Sequence, residues 1–391
     1  MMSAVKSYVD VFISPSTQQY IVNDSMVGIW WHKLTAKIWA TDLWLPKGLT
    51  WHDLQSTKEF TYPDANAVFI YPLLFSVVII LLKFFILDPF ILIPIATSAG
   101  IANKKSKPPP TNKTLEKLYK NYGTKPPQND LVLVAQELEV TQRYVERWLR
   151  LKRNSERFTK YGKFVDCGFH LVGHTVITIY GLLVLSDKPW LWEIDLCWKD
   201  YPRHNITPDL WWYYMIGLSY YWASTFFQMF SIGGERSDAV QMMLHHFSTV
   251  ILIAFSWVIN FVRVGTLILL VHECADIPLI AAKMCKYAGI DAPTDILFVI
   301  FLLVWLYTRC YLYPFWILHS IFFEAPILHG IPVVIFCKGL VLALMVLNLI
   351  WTGLIARIII KKFTGGSLED IRSDADDVSD DDLDDVKRKG D

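Results

Sequence analysis

The sequence predicts an all-α, polytopic membrane protein of about seven transmembrane helices, with a small three-helix insert on the cytosolic side. Three observations carry that reading. Hydrophobic residues make up 53% of the 391, mean hydropathy is +0.32, and several apolar runs approach the roughly 20 residues that cross a bilayer. The formal net charge is +0, yet Lys and Arg crowd 103–163 while Asp and Glu crowd 369–385, an asymmetry expected of a chain with two membrane faces. The 16 Trp and 18 Tyr suit aromatic belts at both surfaces.

Taken in order, residues 1–66 form a polar, Trp-rich lumenal or interfacial segment. They lack the basic-then-apolar layout of a cleaved signal peptide, so the first transmembrane helix, 67–92, acts as an uncleaved anchor. Its apolar heart is Ala67 to Leu87, with Lys83 near one end where it can snorkel. The basic insert, 103–163, contains the linker Lys107-Pro108-Pro109-Pro110. Six further apolar stretches make a membrane domain over 164–362: Val165 to Leu185, Leu210 to Phe230, Val240 to Ile259, Val264 to Ala282, Thr294 to Ser320 and Ile331 to Ile360. The acidic remainder, 363–391, has a composition that favours disorder.

The positive-inside bias puts the basic insert in the cytosol and the N-terminus in the lumen. Seven spans return the acidic tail to the cytosol. The sequons at Asn23 and Asn205 then fall on the lumenal side as glycosylation sites, whereas Asn112 is cytosolic and stays unused. Lys387-Arg388-Lys389 near the last residue resembles a di-lysine retrieval signal of endoplasmic-reticulum membrane proteins. Ser373 and Ser379 each have Asp three residues on, the spacing that suits phosphorylation by an acidophilic kinase. The six cysteines have no CxxC spacing, which argues against a zinc ribbon or a redox dithiol.

Within the insert, Leu115 to Tyr119, Asp130 to Leu138 and Gln142 to Arg153 read as three short helices, with Thr141 capping the last and Trp148 as its core aromatic. That order resembles a homeodomain, and Arg143, Arg147, Arg150, Lys152 and Arg153 surround the third helix. The position where homeodomains carry their base-reading Asn is Leu151, and the basic minor-groove arm is missing. DNA is therefore not the expected partner.

The chemistry concentrates in Arg236 to Tyr287. Two apolar segments, joined by a polar turn at Asn260 to Arg263, carry His245 and His246 on one side and His272, Glu273 and Asp276 on the other. Ionisable groups in hydrocarbon are costly and point to function. Adjacent histidines project about 100° apart on a helix. Counting from the turn at about 1.5 Å per residue, His245 lies roughly 26 Å along its helix, His246 roughly 24 Å and, on the return helix, Asp276 roughly 21 Å, Glu273 roughly 17 Å and His272 roughly 15 Å. Asp276 is thus the acid nearest in depth to the His pair, and a His oriented by a carboxylate can serve as nucleophile or general base. His272 to Asp276 departs from the zinc-protease pattern H-E-x-x-H by ending in Asp, so no metal is assigned.

Leu-His-His-Phe-Ser-Thr-Val at 244–250, Asn-Phe-Val-Arg-Val-Gly-Thr-Leu at 260–267 and His-Glu-Cys-Ala-Asp at 272–276 resemble the Lag motif of ceramide synthases. Supporting matches are Leu43-Trp44-Leu45-Pro46, Asp187-Lys188-Pro189-Trp190, Trp212-Tyr213-Tyr214-Met215 and Pro314-Phe315-Trp316-Ile317-Leu318-His319. The resemblance implies a TLC-domain N-acyltransferase of the endoplasmic reticulum that joins a fatty acyl-CoA to the amine of a sphingoid base, with acyl-CoA as co-substrate and no cofactor. It makes His245 and His246 the essential His pair and Asp276 the second acid of a His-Asp-x-x-Asp pattern, whose first acid here is Glu273, one methylene longer. His272 completes the catalytic set. The acyl-CoA phosphates are expected near Arg236, Lys283 and Lys286, with the acyl chain in an apolar tunnel. Chain length is expected to depend on the loop at Phe322, Phe323, Glu324, Ala325 and Pro326. Membrane lipid and a homo- or hetero-dimer with related synthases are the further partners implied. A non-enzymatic TLC-type lipid sensor or a membrane-tethered regulator is the competing class; retention of His245, His246 and Asp276 weighs against it.

Overall fold

The computed structural model describes residues 26–57, 60–103, 107–156, 159–230, 238–325 and 330–363. Asn23, Arg236, Pro326, Ser373, Ser379 and Lys387-Arg388-Lys389 lie outside these. Among the described residues every regular element is a helix. The principal ones are α1 (Met26–Ile38), α2 (Ala65–Ser98), α3 (Lys113–Tyr122), α4 (Gln128–Glu137), α5 (Gln142–Glu156), α6 (Lys160–Leu185), α7 (Pro208–Phe230), α8 (Ala239–Val258), α9 (Val262–Glu273), α10 (Asp276–Tyr287), α11 (Asp291–Glu324) and α12 (Pro332–Phe363).

Where seven spans were expected, six helical stretches among the described residues are long and apolar enough to cross a bilayer. The exception is α7, which at 23 residues reaches roughly 34 Å but is rich in Tyr, Ser and Thr. The reason is its surroundings. Tyr213, Tyr214, Ser219, Tyr220, Tyr221, Ser224 and Thr225 are all buried, because α7 packs against α2, α6 and α8. A helix sheathed by protein can carry the polar groups that a lipid-facing helix cannot.

Two ends of the bundle can be told apart. At the end away from the insert, Asn260 adopts φ 58°, a left-handed C′ residue, and the N–H groups of Asn260 and Phe261 close back on the carbonyls of Trp257 and Ser256 at 3.1 and 2.6 Å, the Schellman pattern that stops α8. The Asn260 amide also donates to the carbonyls of Pro202 and His204 at 2.8 and 2.9 Å, locking the turn to the α6–α7 loop. Gly265 is required nearby, since a Cβ there would sit 1.7 Å from the Tyr214 hydroxyl. Trp44 and Leu45 of the N-terminal segment are buried in the main core at this end, with Trp44 against Phe255 of α8 at 5.1 Å.

At the insert end, α3, α4 and α5 enclose Leu115, Leu118, Leu131, Ala135, Val145, Trp148 and Leu149. Trp148 donates its indole N–H to the Pro110 carbonyl at 2.7 Å, and the Tyr144 N–H reaches the Thr141 hydroxyl at 3.3 Å, the cap expected. Asn112 caps α3, its side-chain oxygen accepting from Thr114 and Leu115.

Lys83 does not snorkel. It lies in a π-helical segment, Lys83–Leu92, whose wider turn brings residues five apart onto one face. It pairs with Asp88 at 2.7 Å, is 7% exposed, and lies within 5.5 Å of the rings of Phe84, Phe169 and Phe227.

Candidate active site

The His pair sits near the insert end of α8. Both rings are buried, and they diverge as a 100° step demands: His245 packs edge-on to Trp351 of α12 at 5.4 Å, His246 to Tyr221 of α7 at 6.0 Å. The return arm of the hairpin is not one continuous helix. Pro278 has no N–H for the carbonyl of Cys274 and its ring crowds that turn, so the helix breaks at Cys274 and Ala275 between α9 and α10.

The break separates the two acids. Glu273, the last residue of α9, is fully buried and accepts two hydrogen bonds of 2.5 Å, one from Nδ1 of His174 on α6 and one from the Tyr221 hydroxyl. Asp276, the first residue of α10, accepts from Arg309 of α11 at 3.3 Å and makes no hydrogen bond to His245 among the described residues. Arg309 also donates to the His272 carbonyl and, at 3.2 Å, to Asn348 of α12. It lies in the π-helical segment Leu306–Leu318, where Pro314 interrupts the α ladder; π segments recur at functional sites. One buried guanidinium thus ties both sides of the break to α11 and α12.

His272 is held by a bond from Nδ1–H to the Ile268 carbonyl at 2.8 Å and by the ring of Tyr313 at 4.6 Å. Its Nε2 is buried with no hydrogen-bond partner among the described residues, and the residue lines one end of an elongated apolar cavity. The cavity follows one stripe of α9 from Phe261 to His272, roughly 16 Å at the helical rise. Its walls are almost wholly apolar. Tyr221, Thr249 and His272 line the insert-ward end; Trp198, Ile321 and Lys338 line the other, where the Trp198 indole donates to the Ser320 hydroxyl at 2.7 Å. Thr249 stands one helical turn from the His pair, so the cavity stops just short of His245 and His246.

The other expected residues divide. Lys283 and Lys286 are half-buried on the last turns of α10, at the insert end. Phe322 lies under the Lys338 ammonium at 5.1 Å, next to the far end of the cavity. Phe323 points outward, 75% exposed, while Glu324 accepts from His319 at 3.0 Å and Ala325 is buried. Asn205 is exposed, its side-chain oxygen accepting from the Thr61 N–H at 2.8 Å. Three contributors went unremarked in the sequence: His174, Tyr221 and Arg309. His174 and Arg309 carried a signal, each being an ionisable residue inside an apolar run. Tyr221 carried none. Among the described residues no three His, Cys, Asp or Glu side chains converge as a metal would need.

A buried histidine–carboxylate pair, a second histidine with an open nitrogen and a long apolar cavity make a site for an apolar chain with a reactive head. Comparison with known proteins agrees with this class. The family model described as the TLC domain matches residues 163–357, the span of the bundle from α6 to α12, so the chain is a multi-pass membrane protein built on a TLC domain. Ceramide synthase 3 of Homo sapiens is 33% identical over 87% of this chain and 88% of its own length. Ceramide synthase 5 of Homo sapiens is 34% identical over 88% and 87%, and ceramide synthase 4 of Bos taurus 32% over 89% and 88%. The chain belongs to the ceramide synthase family.

Proposed function

We propose that this chain is an acyl-CoA-dependent sphingoid base N-acyltransferase, forming the amide of ceramide or dihydroceramide. Family membership supports the reaction class, and one observation carries the detail: an apolar cavity whose insert-ward end is lined by Tyr221, Thr249 and His272, Thr249 being one helical turn from the His pair. The acyl chain occupies the cavity with its thioester at the His245 end. Arg236, Lys283 and Lys286 hold the CoA phosphates on the insert side, which faces the cytosol of the endoplasmic reticulum; the N-terminus is then lumenal, as are the glycan sites Asn23 and Asn205. Ser373 and Ser379 take phosphate on the cytosolic tail. His245 attacks the thioester or deprotonates the amine, with His246 beside it. Glu273 sets the position of Tyr221 against His246, and Asp276 with Arg309 holds the broken hairpin. A dimer with itself or a related synthase is compatible with this arrangement.

The test uses microsomes from cells expressing the chain, supplied with a sphingoid base and a panel of acyl-CoAs, with products identified by mass. New ceramide is expected, and His245→Ala and His246→Ala should remove it without loss of protein. Full activity in His245→Ala would overturn the role given to the pair.

A further inference from the structure

The site described above is buried, yet the proposed reaction must export a proton. A sphingoid amine is an alkylamine, an ammonium in water at pH 7. When the thioester C–S bond breaks and the amide C–N bond forms, that nitrogen gives up two protons. One goes to the departing sulfur, making the CoA thiol; the other has to leave. Hydrocarbon offers it no route.

Helix α6 carries Asp166, His170 and His174, each four residues apart on one face. Their side-chain exposures rise outward in step: Glu273 0%, His174 13%, His170 26%, Asp166 55%. At the inner end, Glu273 joins Tyr221, beside His246, to Nδ1 of His174, with both contacts at 2.5 Å. His170 lies one turn further out, its ring 6.3 Å from that of His174, and its Nδ1 is 2.9 Å from the Tyr220 hydroxyl, whose ring also edges His174 at 5.2 Å. Nε2 of His170 stands 3.9 Å from Asp166. The seam is tight because Gly173 lets α6 close on Tyr220; a Cβ there would meet the ring at 2.2 Å. The segment from Asp166 to His174 covers roughly 12 Å of helix, with two steps longer than a hydrogen bond, between the rings of His174 and His170 and from His170 to Asp166, each of a size that a water can bridge.

We infer that Glu273, His174, Tyr220, His170 and Asp166 form a proton exit from the acyl-transfer site to the insert face, an inference that rests on the N-acyltransferase reading above. His170 is the exchange point, since it stands between the exposed acid, 3.9 Å away, and the Tyr220 hydroxyl of the buried seam, 2.9 Å away. The other charged groups facing this seam are Arg309, paired with Asp276, Lys83, paired with Asp88, and Lys283 and Lys286 of α10, which packs on α6.

The experiment compares the full-length parent with His170→Gln, which keeps a hydrogen bond to Tyr220 but carries no proton, and with Asp166→Asn, an exposed change that leaves the fold alone. The readouts are kcat, KM for both substrates, the pH profile and the solvent deuterium isotope effect. His170→Gln is expected to lower kcat on the order of tenfold or more, raise the isotope effect, leave both KM values unchanged and recover when imidazole is added as a soluble proton carrier. Asp166→Asn is expected to shift the acid limb of the profile. A parent that makes ceramide while His170→Gln keeps full kcat and isotope effect overturns the exit alone, as does a fall in kcat that imidazole does not restore. An unmoved profile in Asp166→Asn overturns it where His170→Gln does not fold. A parent inactive with every acyl-CoA and base overturns the N-acyltransferase reading and the exit together.

Discussion

Nδ1 of His174 and Oε2 of Glu273 stand 2.5 Å apart, although 99 residues separate them in the chain. The contact makes α6 part of a site whose other members come from α7, α8, α9, α10 and α11. It also gives Glu273 a structural partner and a chemical one, since the second carboxylate oxygen accepts from Tyr221.

Glu273→Gln should therefore be costly in both respects. The amide can accept at only one position, leaving a buried donor without its acceptor, which destabilises by about 1–3 kcal/mol. Ceramide formation should fall on the order of 10²-fold. Glu273→Asp keeps the charge but withdraws it by one methylene, so it should retain one of the two contacts and an intermediate activity. Thermal unfolding in detergent and product mass check the two effects separately; equal activity in Glu273→Gln and the parent contradicts the assignment.

Arg309 and Asp276 form a pair whose members depend on each other. Arg309→Met leaves the Asp276 carboxylate without its cation and the His272 carbonyl without that donor, and should cost about 3–5 kcal/mol. Adding Asp276→Asn removes the orphaned charge and should recover much of that loss, a coupling that a double-mutant cycle of melting temperatures measures.

The cavity sets a length limit. Ile268→Trp, halfway along its α9 wall, should exclude long acyl-CoAs and spare short ones, while Ile321→Trp at the far end should exclude the longest alone. Mass analysis of ceramides made from a mixed acyl-CoA pool distinguishes a graded shift from a uniform loss; the latter would mean that the acyl chain lies elsewhere.

His204, in the loop between α6 and α7, gives a pH signature. Its Nε2–H donates to the Lys199 carbonyl at 2.7 Å, and burial drives its pKa down to about 4. The unfolded chain, with an ordinary His near 6.5, binds the proton first, so the stability from His204 is full above about pH 6.5 and is lost as pH falls toward 4. The melting temperature of the parent should drop more over that window than that of His204→Gln, which keeps the donor but does not titrate.

The helices, their order and the cluster of charged residues near the turn at 260 were all legible in the residues, because they are local. An apolar run shows its own length, and the polar turn at Asn260 to Arg263 between two such runs shows itself. The partners of those charged residues were not. Depth along ideal helices pointed to Asp276 as the acid beside the His pair, but Pro278 breaks the helix between Glu273 and Asp276, and α11 brings Arg309 to meet the second acid. Hydropathy likewise counted α7 as a span and gave no sign that Tyr221 would bond to Glu273, since a tyrosine in an apolar run reads like any aromatic. The sequence by itself determined which groups had to be sheltered from lipid. Only the packing of seven helix-length segments decided which group shelters which, because a buried charge takes its partner from whichever side chain lies at its level in three dimensions, whatever the distance along the chain.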